Sequence, residues 1–192
     1  MVFGVVGVDL AGSPRRWSGL CYLSQDMWCE LERVKGDDEI IEFISEREVG
    51  LVAIDAPLSL PRKGGGQAYR ECDRRLVEMG VRLLPLTLPP MRMLTLRGMR
   101  LRERLERLGY RVIEVYPGGA QDLLGIPRKS KGLEALRKGL ESLGLRGLRS
   151  DASGDELDAA TCALVGWMYL RNECIEVGDP EEGIIVVPKK FK

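Results

Sequence analysis

The stretch Val2-Phe3-Gly4-Val5-Val6-Gly7-Val8-Asp9-Leu10-Ala11-Gly12-Ser13 decides how the rest of the chain is read. Residues 2–9 are almost wholly apolar up to a single acid, the pattern of a strand buried on both faces of a sheet. Gly12-Ser13-Pro14 breaks the run. Two short runs follow, Trp17–Leu23 and Met27–Val34, joined by Ser24-Gln25-Asp26, and they read as a β-hairpin. Three consecutive antiparallel strands are expected, with Asp9 at the end of the first.

Further along, Asp37–Glu48 has apolar residues at 40, 41 and 44, the spacing of an amphipathic helix. Leu51–Ile54 is a second buried strand and ends in Asp55-Ala56-Pro57. Gly64-Gly65-Gly66 marks a hinge or loop. Gln67–Met79 reads as a helix, Leu83–Pro90 as a proline-bearing connection, and Met91–Leu108 as a helix with an Arg-rich face. Arg111–Val115 is a strand that carries Glu114 and is stopped by Tyr116-Pro117-Gly118-Gly119. Lys131–Leu143 is a helix. Ser153 and Glu156 have capping-box spacing, so another helix should start at about Gly154 and run to about Arg171. Gly183–Val187 is a short tail strand. The expected fold is α/β, a mixed five-stranded sheet of three antiparallel and then parallel strands, with helices on both faces. Residues 1–192 are expected to form one domain.

A chain of 192 residues buries roughly 70% of its unfolded surface and needs no disulfide or zinc staple. The five cysteines form no C-x-x-C pair; Cys21 and Cys29 are the one pair placed to meet across the hairpin. No apolar run approaches the ~20 residues of a membrane span, and the first ten residues lack a basic leader region. A cytoplasmic location is expected. With one Asn, three Gln and 21 Arg, the composition points to a thermophilic source.

The chain has no histidine, which excludes Ser-His-Asp and Cys-His catalysis and His-ligated zinc. Its zero net charge hides a basic middle. Residues 61–150 hold 20 basic and 9 acidic side chains, against 5 and 11 in residues 1–60 and 4 and 9 in residues 151–192. Such a middle suits a polyanionic partner or a solvated Arg/Glu surface.

The acids at strand ends carry the functional reading. Asp9, Asp55 and Glu114 would share the C-terminal edge of parallel strands, where ligands gather in α/β folds. Asp155 and Asp158 lie three apart at the start of the capped helix, and small Ala159 and Ala160 let that helix approach the sheet. Two unit charges about 5 Å apart repel by roughly 3 kcal/mol at an effective dielectric of about 20. A carboxylate-only set therefore favours a hard divalent cation, Mg²⁺ or Mn²⁺, held by Asp9, Asp55, Asp155 and Asp158. Each acid also has a structural reading: turn bonding for Asp9, an Arg partner for Glu114, helix-dipole pairing for Asp155. Arg70, Asp73 and Arg74 follow the glycines and can be read as a phosphate clamp or as an ion pair within a surface helix.

Taken together, Val8-Asp9-Leu10-Ala11-Gly12-Ser13, Ile54-Asp55-Ala56-Pro57-Leu58-Ser59-Leu60-Pro61, Arg70 with Cys72-Asp73-Arg74, Arg97-Gly98, Glu114-Val115-Tyr116-Pro117-Gly118 and Asp155-Glu156-Leu157-Asp158-Ala159 resemble one family. It is the uncharacterised family of predicted nucleases with a ribonuclease H-like fold, domain of unknown function 429. The resemblance implies Mg²⁺ bound by Asp9, Asp55 and Asp158 or Asp155, with Arg97 among the substrate-binding residues. Glu114 belongs to that family's own pattern. The expected function is a metal-dependent nuclease or phosphodiesterase acting on nucleic acid or a nucleotide-like phosphoester. The alternatives are a non-catalytic nucleic-acid or nucleotide-binding module and a small phosphotransferase.

Overall fold

The computed structural model describes residues 4–62 and 67–189. Val2, Phe3 and the expected Gly64-Gly65-Gly66 hinge lie outside the described residues. In chain order the elements begin with β1 (Gly4–Asp9), β2 (Ser18–Leu23), β3 (Cys29–Val34), α1 (Asp37–Ser45) and β4 (Val49–Asp55). Then come α2 (Glu71–Glu78), α3 (Pro89–Arg107), β5 (Val112–Val115), α4 (Pro117–Leu124), a 3-10 turn (Lys129–Lys131) and α5 (Leu133–Ser142). The last are α6 (Gly154–Leu170), β6 (Cys174–Asp179) and β7 (Gly183–Pro188).

The strands form one mixed sheet in the order β3-β2-β1-β4-β5-β7-β6. β1 pairs antiparallel with β2 and parallel with β4, and the parallel run continues through β5 to β7. The sheet has seven strands, not five. The tail strand joins it as β7, and β6 adds an antiparallel edge. β6 was illegible because its Ile175 and Glu176 are both exposed, which erases the alternation expected of a half-buried strand. Helix α4 was read as a stop, because Pro117-Gly118-Gly119 was taken for a turn. Pro at the first helical position lacks only an N–H that the helix would leave unpaired, so it starts a helix as readily as it ends a strand.

Alternation along β1 sends Val5 to one face and Val6 and Val8 to the other. On the first face, α4, α5 and α6 close a core with Leu51, Ala53 and Val115. On the second, Ile40, Phe43 and Ile44 of α1 and Leu101 and Leu105 of α3 pack on Val52 and Ile54. A third cluster joins Cys72 and Leu76 of α2 to Val177, Ile185 and Val187 of the terminal hairpin. All five cysteines are free thiols, Cys21 and Cys29 included. Among the described residues, no helix is long and apolar enough to cross a membrane.

Helix α6 starts where its capping box predicts. Ser153 Oγ accepts from the Glu156 N–H, and Glu156 Oε2 accepts from the Ser153 N–H at 2.8 Å. At Gly7 and Gly19 the helix meets β1 and β2 with no side chain between. A Cβ on Gly7 would stand 1.9 Å from the Ala159 carbonyl oxygen, and one on Gly19 2.1 Å from that of Asp155. Backbone cannot yield as a flexible side chain can. Gly7→Ala is therefore expected to destabilise the protein by about 1–3 kcal/mol or more, read as a lower urea midpoint. An unchanged midpoint would show that the contact relaxes freely.

Candidate active site

Register fixes the first two acids. Asp9 and Asp55 are direct partners at the C-terminal ends of β1 and β4. They lie in the same alternating rows as Val5 and Leu51, Ala53, which face α6. The glycine seam beneath α6 brings Asp158 to this face, with only 5% of the residue exposed. Gln121 of α4 donates from Nε2 to Asp158 Oδ1 at 2.8 Å and to Thr161 Oγ1 at 3.0 Å, which fixes the carboxylate. Lys129, on the 3-10 turn, places Nζ 2.6 Å from Asp158 Oδ2 and 3.9 Å from Asp9 Oδ2.

Three carboxylates thus share one ammonium. Burial pushes the Asp9 carboxyl up from 3.8 to about 7, Asp158 adds to this, Lys129 opposes it, and Asp155 adds a little. Asp55 is raised well above its ordinary value, by burial first and then by Asp9 and Asp158. Burial pulls the Lys129 ammonium down, but its hydrogen bond and ion pair to Asp158, with Asp9 and Asp155 behind, leave it raised overall. In this arrangement no group of three or more acids or cysteines among the described residues is disposed to close around a metal ion. The donor set is nevertheless hard, made only of carboxylate oxygens, and it carries more negative charge than Lys129 neutralises.

The other expected site residues are placed elsewhere. Asp155 pairs with exposed Arg33 at 3.4 Å, at the rim of the cluster. Glu114 is the register partner of Ile54, not of Asp55, so it points to the opposite face. There it accepts two bonds from Arg70, at 2.6 and 2.8 Å, and one from the Leu58 N–H at 2.7 Å. Burial pushes the Glu114 carboxyl up, and Arg70 and the Leu58 N–H work against that shift. Arg70 spends all five guanidinium N–H bonds inside the protein, on Glu114, Asp73 and Ser59. Arg70 and Asp73, 0% and 4% exposed, are thus a buried clamp and not a phosphate grip, which corrects the sequence expectation for both. Arg74 is exposed and pairs with Glu71 at 2.8 Å. Arg97 is buried, and donates to Asp37 Oδ1 at 2.8 Å and to the carbonyls of Ala11 and Lys35 at 2.6 and 2.7 Å. It positions the loop after Asp9, and at 1% exposure it offers no surface to a substrate. A cavity of about 200 Å³ reaches Asp55 from the side of the Arg70–Glu114 clamp, lined also by Asp73, Leu86, Met91 and Leu94.

Sequence reasoning missed Lys129 and Gln121. Gln121 sits on the helix that was read as a turn. Lys129 is one cation in a basic segment, and no spacing rule ties it to acids distant in sequence.

Fold and site together define a mixed α/β protein with a carboxylate cluster at the C-terminal edge of its parallel strands. Residues 7–183 match the model of a family described as Protein of unknown function (DUF429), and the chain belongs to that family. No curated protein matches it.

Two outcomes follow from the buried charges. The Asp9 carboxyl is higher in the folded state than its ordinary 3.8, so its contribution to stability is full below about pH 4 and is lost as pH rises to about 7. In chelated buffer, Asp9→Asn should gain stability over wild type progressively across that window, measured by urea unfolding. A difference that does not vary with pH would sink the idea. Arg70→Met leaves Glu114 and Asp73 buried without their cation and should cost about 3–5 kcal/mol in the same assay.

Proposed function

We propose that this protein is a metal-dependent phosphodiesterase of ribonuclease H-like architecture, acting on nucleic acid or a nucleotide-like phosphoester. One observation carries the reading: Asp9, Asp55 and Asp158 converge on one face of the sheet edge with a single ammonium among them. A strand order of β3-β2-β1-β4-β5, antiparallel through β1 and parallel beyond, supports the architecture that the sequence resemblance implied.

Asp9, Asp55 and Asp158 would hold the cation, with Asp155 at the rim. A bound Mg²⁺ or Mn²⁺ would supply charge stabilisation for displacement at phosphorus. The chain's own groups do the rest. Gln121 and Thr161 keep Asp158 in one orientation. Without a cation the Asp9 carboxyl is pushed up to about 7; with a divalent ion bound it would stay deprotonated, so proton release would accompany binding. Lys129 is 47% exposed on its side chain, so its ammonium can turn from Asp158 toward a phosphate oxygen. The cavity beside Asp55 leaves room for one part of the substrate.

The test is a cleavage assay on labelled single- and double-stranded DNA and RNA with Mn²⁺, with Mn²⁺ binding followed by calorimetry. Wild type is expected to cleave in a chelator-sensitive way. Asp9→Asn and Asp158→Asn should lose on the order of 100-fold or more, and Gln121→Leu about 10–100-fold, the usual effect of freeing a ligand's support. Wild-type cleavage by Asp9→Asn overturns the proposal. Absence of both cleavage and Mn²⁺ binding favours the second reading, a binding module in which Lys129 is the permanent counter-ion of the acids.

A further inference from the structure

The Arg-rich face of α3 is largely spent within the protein. Arg102 pairs with Glu106, Arg107 with Glu103 and Arg104 with Asp38, while Arg97 is buried. A different cationic surface lies beside the acids. Asp9, Gly19 and Arg33 stand in one line across β1, β2 and β3. Gly19 faces the first turn of α6, so Arg33, its cross-strand partner, lies on that same face. Trp17 and Lys35 stand two residues from Gly19 and Arg33, just outside β2 and β3, and their side chains meet there.

Trp17 is 48% exposed. Lys35 Nζ stands 4.6 Å and the Arg33 guanidinium carbon 5.4 Å from the ring centroid. Arg33 also reaches Asp155, which links the ring to the acidic cluster. Arg15, Arg16 and Lys35 are exposed, and among the described residues they enter no ion pair. Strand spacing puts Trp17 roughly 8 Å from Asp9.

The loop that carries the ring is held in place. Arg97 binds the Ala11 carbonyl, the Ala11 N–H donates to Ser18 Oγ at 3.0 Å, and the Arg16 N–H donates to the Ser13 carbonyl at 3.0 Å. Little conformational freedom remains to be lost when a ligand lands on it.

We propose that Trp17, with Lys35 and Arg33 over its ring and exposed Arg15 and Arg16 beside it in the chain, is a base-stacking platform that receives single-stranded nucleic acid next to the Asp9 cluster. An exposed ring with unpaired cations around it complements a strand that offers a π-face on each base and a phosphate between bases. The inference rests on the phosphodiesterase reading and narrows its substrate to a single strand.

Binding of a fluorescein-labelled single-stranded oligonucleotide is followed by anisotropy in EDTA, so that cleavage plays no part. Base stacking contributes about 1–3 kcal/mol, so Trp17→Ala should weaken binding by roughly 5- to 150-fold. Trp17→Phe should stay within a few-fold of wild type. An abasic strand of equal length should bind wild type and Trp17→Ala alike, which separates stacking from charge and from misfolding. Arg15→Ala should lower the salt slope by about one. Equal binding of the base-bearing strand by wild type and Trp17→Ala overturns the platform, as does failure of wild type to bind at low salt. Binding of this kind without metal-dependent cleavage supports the platform and removes the phosphodiesterase. Duplex cleavage that ignores Trp17 does the reverse.

Discussion

The contact between α6 and the sheet is the constraint on which the site depends. Gly7 and Gly19 carry no side chain beneath the first turns of the helix, so there its backbone rests against that of β1 and β2. That closeness brings Asp158 to the row where register has already paired Asp9 with Asp55. A larger residue in the seam would raise the helix and separate its carboxylate from the other two. Packing of the smallest residue thus sets the geometry of the most polar cluster in the protein.

The two faces of the sheet treat buried charge differently. On the α6 face, three acids meet one lysine, and proton affinity rises to balance the excess. On the other face, Arg70 gives four of its five donors to Glu114 and Asp73 and the fifth to Ser59. One cluster is closed and the other is short of positive charge. A closed cluster holds structure together, whereas an under-neutralised one invites a cation or a proton.

Much of this was legible in the sequence. The run ending in Asp9 and the run ending in Asp55 identified adjacent buried strands, and Ser153 with Glu156 located the start of α6. Periodicity says which residues are apolar but not which register a strand adopts. A shift of one residue turned Glu114 away from the acids it was grouped with. The arginines at 70 and 97 looked like surface charge, because a sequence does not show partners that only folding supplies. Trp17 shows the opposite: apolar character alone does not tell that a residue just before β2 stays open. Lys129 and Gln121 approach Asp158 through tertiary packing alone.

Lys129 also changes how the acids meet their surroundings. Its ammonium is tethered by the chain itself, so its local concentration around Asp158 is far above that of a free ion and does not fall on dilution. Any cation or ligand that takes the acids must outcompete this resident one. Monovalent ions, with the same charge and no tether, lose that contest, whereas a doubly charged ion gains about twice the attraction from the same oxygens. A counter-ion built into the chain thus sets the bar that any cation entering the cluster would have to clear.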